Sequence, residues 1–157
     1  MPRLALIVLV GVCAVAAGCG GGGGGGNGGT AGALSKDEFA SKVSNLCLLA
    51  DDQVHELHMT NSIIAWKNYG DRVVKIGQSF IDKVGALKAP DEIKGAVQEY
   101  LDANKKVVED LRTATADAKK NDRKGMLAAL AQGNKDNDDT WPPAKEIGAK
   151  SCYPSSG

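Results

Sequence analysis

Apolar positions recur with a helical period through the chain from residue 34 onward, and no stretch shows the period-two alternation of a strand. The first helix opens on a complete start signal. Ser35 is placed to cap it, Glu38 three residues later reaches back as a capping box, and Leu34 and Phe39 form a hydrophobic staple. Phe39, Val43, Leu46, Ala50, Val54 and Leu57 then gather on one face, with Cys47 on its flank, and the helix is expected to end near Met59. Thr60-Asn61-Ser62 suits a turn and a new cap. A second helix follows from about Ser62 to Leu87, carrying Ile64, Val73, Ile76, Phe80, Val84 and Leu87. Gly70 costs it about 1 kcal/mol against Ala and is a candidate break, with Asp71 as a fresh cap.

Ala89-Pro90 ends the second helix, because the residue before proline is pushed out of the helical region. Pro90 suits the first turn of a third helix. Asp91 and Glu92 at its start and Lys119-Lys120 at its finish complement the helix dipole. Its stripe is Ile93, Val97, Leu101, Val108 and Leu111, with Asn104 as the polar exception. Asn121 closes it and Asp122 caps a fourth, whose apolar positions are Met126, Leu127, Leu130, Trp141 and Ile147. Prolines remove backbone donors and clash with the preceding turn, so this helix is expected to kink or break at Trp141-Pro142-Pro143. Thr140 or Asp139 would cap a short last helix ending near Gly148. The pattern predicts an all-α fold: an up-down-up-down four-helix bundle in which the first and fourth helices are neighbours.

The ends of the chain change the picture. Arg3 followed by the apolar run Leu4 to Ala17 and then small residues has the layout of a cleaved export signal. The run is shorter than the roughly 20 residues a spanning helix needs. Ala16-Ala17-Gly18-Cys19 resembles the lipobox of bacterial lipoproteins, with Ala16 where that motif usually has Leu. The resemblance implies cleavage before Cys19, acylation of its thiol and anchoring on the extracytoplasmic face of the cell membrane; the alternative is a soluble secreted form. Residues 1–18 are thus read as signal peptide, 19–33 as lipidated cysteine and tether, and 34–157 as one helical domain. The tether GGGGGGGNGGTAGA is a flexible chain, with an end-to-end distance of about 20 Å.

Cys47 and Cys152 remain in the domain. Outside the cytoplasm such a pair most simply forms one disulfide, enclosing more than a hundred residues; free or metal-binding thiols are the other reading. The stretch LSKDEFASKVSNLC, the central LKAPDE and the closing AKEIGAKSC look similar to small actinobacterial envelope lipoproteins. These open with a cap-Phe-Cys helix and end in a Gly-x-x-x-Cys tail, which Gly148 and Cys152 fit. That resemblance covers nearly the whole mature domain and bears on fold and location. It supplies no catalytic residues.

Charge and motifs narrow function only by exclusion. Losing Arg3 leaves 18 basic and 19 acidic residues, a net of −1, and aromatics are 4% of the chain. Both argue against a nucleic-acid partner. No G-x-S-x-G elbow, P-loop or C-x-x-C-H haem motif is present, and the domain is expected to be non-enzymatic and without cofactor. His55 and His58, with Asp51 one turn earlier, are the candidate metal ligands, although they miss the H-E-x-x-H spacing and fall on or near the solvated face. Lys119 to Lys124 places four cations at the turn between the third and fourth helices, beside His58 and Met59. This is either a docking point for an acidic partner or a solvated turn. A break at Trp141 opens either a groove lined by that aromatic or a gap it fills. The leading expectation is a membrane-tethered module binding an envelope protein, a lipid or another small ligand. A metal-binding lipoprotein using His55 and His58, or a structural spacer, are the alternatives.

Overall fold

The computed structural model describes Gly32 and residues 34–154. The expected signal peptide, Cys19 with its expected acylation, and most of the expected tether lie outside the described residues. Five α-helices and two short 3₁₀ turns make up the domain, and no strand occurs among the described residues. No helix of the described residues is long and apolar enough to cross a membrane.

Helix α1 spans Lys36–His55 and starts as its sequence dictates. The Ser35 backbone N–H donates to Glu38 Oε2 at 2.9 Å, and the Glu38 N–H donates to Ser35 Oγ at 3.3 Å. The Ser35 hydroxyl, donating to Glu38 Oε2 at 2.7 Å, and then the Ser35 N–H hold the Glu38 carboxyl below its ordinary range. Phe39 is fully buried and Leu34 packs on the same core, while the Leu34 N–H donates to the Lys88 carbonyl at 3.2 Å. The chain entering the domain is therefore pinned to the connection after α2. The helix stops four residues short of Met59, in a turn where His58 takes φ 47°.

Helix α2 (Ile63–Gly85) is capped by Ser62 and runs unbroken through Gly70, against the expected interruption. Gly70 marks a close approach instead: a Cβ there would lie 2.5 Å from Thr115 Oγ1. Ile64 is 71% exposed, and Trp66 takes the buried position assigned to it. Trp66 precedes Val73 by seven residues, two full turns. Ile64 precedes it by nine, half a turn out of phase. Pro90 opens a 3₁₀ turn, Asp91–Ile93, and helix α3 (Lys94–Lys119) follows without interruption.

Asn121 reverses the chain with φ 63°, and Asp122 caps α4 (Arg123–Asp138) by accepting from the Gly125 N–H at 2.8 Å. Met126 is fully buried, but Leu127 on the edge of that face is 36% exposed. The fourth helical segment is broken at the Trp141-Pro142-Pro143 step, as the prolines predict. Asp139 and Thr140 separate α4 from α5 (Trp141–Ile147), whose first turn takes up Pro142 and Pro143, where missing N–H donors cost least. Thr140 does not cap α5 with its side chain; its hydroxyl donates back to the Asn137 carbonyl at 2.7 Å. Gly148 ends α5 with φ 88°, and a second 3₁₀ turn, Lys150–Cys152, closes the fold.

The result is a helical bundle with α3 at its centre, packed along both α2 and α4. Cys47 and Cys152 form a disulfide, with their Cα atoms 5.4 Å apart. The expected contact between first and fourth helices is made mainly at this end: α1 packs on α2, on the Lys150–Cys152 turn and slightly on α5, and barely if at all on α4. Two cores result. Phe39, Val43, Phe80, Val84, Tyr100 and Ile147 belong to the one near the disulfide; Leu57, Trp66, Ala114, Ala118 and Met126 form the one at the opposite end.

Candidate functional site

Where α1 fails to close against α3 and α4, a cleft of about 450 Å³ opens. Its floor is α2, through Val73, Ile76, Gly77 and Phe80, and one wall is α3, through Tyr100, Asn104, Val107 and Leu111. Cys47, Leu48, Ala50, Asp51 and Val54 of α1 form the facing wall, and Asn137, Thr140, Ser151 and Cys152 complete the rim. The spacing explains the α3 wall: positions 100, 104, 107 and 111 fall on one helical face. Leu48 is 50% exposed, a large apolar side chain left beside an apolar hollow.

The inner end is built from aromatics and sulfur. Phe80 and Tyr100 meet edge to face, with ring centroids 6.1 Å apart at 83°. The Tyr100 hydroxyl lies 3.3 Å from Cys47 Sγ and the residue is 2% exposed. Burial pushes its phenol far above the ordinary range, with Asn104 pulling slightly the other way, so this wall is uncharged at any physiological pH. Asn104 Nδ2 donates to the Tyr100 carbonyl at 2.8 Å, which accounts for the polar position on the α3 stripe. Such a surface suits an apolar ligand and offers no activated nucleophile. The sequence pattern alone did not single out Tyr100, although it follows Ile93 by seven residues and Val97 by three and so shares their face.

Residues singled out from sequence are distributed differently. The break after α4 does border the cleft, through Asn137 and Thr140. Trp141 is half-buried and does not line it; the aromatics come from α2 and α3. His55 and His58 lie with ring centroids 6.4 Å apart, both exposed, and no group of three or more His, Cys, Asp or Glu gathers for a metal among the described residues. Asp51 belongs to the cleft rim. In the basic turn Lys119 pairs with Asp71 at 2.7 Å, Lys120 with Asp117 at 3.7 Å, and Lys67 donates to Asn121 Oδ1 at 2.6 Å, so part of its charge is engaged within the fold.

A different polar feature sits between α3 and α4. Asp110 Oδ2 is buried without a hydrogen-bond partner, close under Gly133. Burial first, then the Asp136 carboxyl beside it and Glu109, raise the Asp110 pKa. Comparison with known proteins adds nothing to this geometry: no family model, no curated protein and no solved structure matches the chain.

Proposed function

We propose that this protein is a lipid-anchored, extracytoplasmic binding module that holds a small apolar ligand in the cleft between α1 and α3, without catalysing a reaction. The observation that carries the reading is the cleft itself. Its volume falls in the range of small-molecule sites, and it is apolar with a few polar groups at its rim. The signal-like leader, the lipobox-like Ala16-Ala17-Gly18-Cys19 and the glycine tether support the address, and a Cys47–Cys152 disulfide fits an oxidising compartment.

Dodecanol, uncharged and of simple shape, is a suitable probe. Titrated into the full chain, it is expected to shift the methyl resonances of Ile76 and Leu111 saturably. Ala50→Phe, which fills the cleft from the α1 side, should abolish those shifts while leaving the helical circular-dichroism spectrum intact. Saturable binding unaffected by Ala50→Phe places the ligand elsewhere and defeats the reading. For the address, Cys19→Ala should move the protein from the membrane to the soluble fraction; an unchanged distribution rules out that anchor.

A further inference from the structure

We propose that the cleft selects a small cationic amphiphile, a long-chain amine or ammonium compound, with its alkyl body over Phe80, Ile76 and Leu111 and its head group beside Asp51. This rests on the cleft being a ligand site and specifies the chemistry of its occupant.

The argument is one of charge complementarity. The chain carries 19 Lys and Arg, yet none lines the cleft; its one charged lining residue is an acid, Asp51, exposed at the rim. Four other hollows on the described surface differ in that each is lined by at least one cation: Lys88 and Lys94, Arg72 and Lys75, Lys83, and Lys75 with Lys83. Three of them also hold an acid, Asp91, Glu56 or Asp82. Across the cleft, Asn137 stands in the last turn of α4, where the helix dipole is negative, and Thr140 opens α5. A cationic head group meets favourable potential at Asp51. A carboxylate or phosphate head meets that acid and no cation among the lining residues.

Size separates a small amphiphile from a partner helix. Ten residues of helix, about 15 Å long and 10 Å across, fill roughly 1,200 Å³. The cleft holds about 450 Å³. A single alkyl chain fits that volume, and its methylene groups gain from the apolar floor as they leave water.

The test compares dodecylamine, dodecanol and dodecanoate at neutral pH, below their micellar concentrations, by the same methyl shifts in the full chain. The expected affinity order is amine, then alcohol, then carboxylate, with roughly a two- to fivefold step between amine and alcohol, the size an exposed charge pair supplies. Asp51→Lys should reverse the order of amine and carboxylate and leave dodecanol within twofold; Asp51→Asn should bring amine and alcohol together. Because Asp51 is exposed, neither change disturbs the core. Carboxylate binding as tightly as amine, or an order unmoved by Asp51→Lys, overturns the assignment while bound dodecanol keeps the cleft as a site. If dodecanol does not bind either, both readings fall together.

Discussion

Single residues decide how closely α3 is approached from each side. Gly70 lets α2 lie against Thr115, whose Oγ1 and Cγ2 would be 2.5 and 2.8 Å from any added Cβ. Gly70→Ala should therefore destabilise the fold by about 1–3 kcal/mol through overpacking, despite the better helix propensity of alanine. Combined with Thr115→Ala, which removes both atoms, part of the loss should return as a positive coupling in a double-mutant cycle by urea denaturation. On the other side, Asp110 faces α4 with a raised pKa, driven by burial and then by Asp136. A pKa raised by folding gives stability that is complete below the unfolded value of 3.8 and is lost as pH rises through the folded value. Asp110→Asn should stabilise the protein at neutral pH, with the gain shrinking towards pH 3; a gain that grows on acidification contradicts the assignment. Neither residue was legible in the sequence. A glycine in a helix reads as a break until the partner that needs its missing side chain is known. Asp110 reads as one more surface acid until α4 covers it.

At the scale of elements, local chemistry was readable wherever both halves of a signal lie within a few residues. Ser35, Glu38, Leu34 and Phe39 specify the start of α1 by themselves, and Asp122 that of α4. Periodicity placed most of each buried face and failed where a single large side chain sits near a helix start. Ile64 and Trp66 are both apolar, and only phase against Val73 separates them. The break between α4 and α5 was legible in kind and in position, because proline disturbs the turn before itself and is tolerated in the first turn of the next helix. The far end of α5 gives the sharper test. Gly148 holds φ 88°, and its N–H and that of Ala149 both reach the Ala144 carbonyl, at 3.0 and 2.9 Å. Gly148→Ala forces a side chain into the left-handed region and should cost about 1 kcal/mol, read as a lower urea midpoint with an unchanged slope. An effect near zero means the turn relaxes without it.

For the whole molecule, the apolar pattern assigns each helix a face to bury but does not name the helix that covers it. The open seam between α1 and α4, and hence the cleft, became visible only with the fold assembled. The same seam sets the order in which the domain should come apart. Helices α2 and α4 are each held by α3 along their lengths, whereas α1 is held by α2 along one side and by the Lys150–Cys152 turn at the disulfide. Cys47 sits mid-helix, so the covalent link fastens α1 at its contact with the Lys150–Cys152 turn. In the chain-entropy picture, a link spanning 105 residues contributes about 4–5 kcal/mol by restricting the unfolded chain. Its local effect is a separate matter and can be separated by experiment. Under reducing conditions in which the protein stays folded, amide exchange in α1 and at Ala149–Cys152 should accelerate far more than in the middle of α3, because the least-packed helix opens before the whole does. The cleft is lined by both half-cystines, so affinity for dodecanol should fall in parallel with that protection. Uniform acceleration across all helices would mean that α1 is bound into one cooperative unit with α3, and that the seam has no separate opening motion.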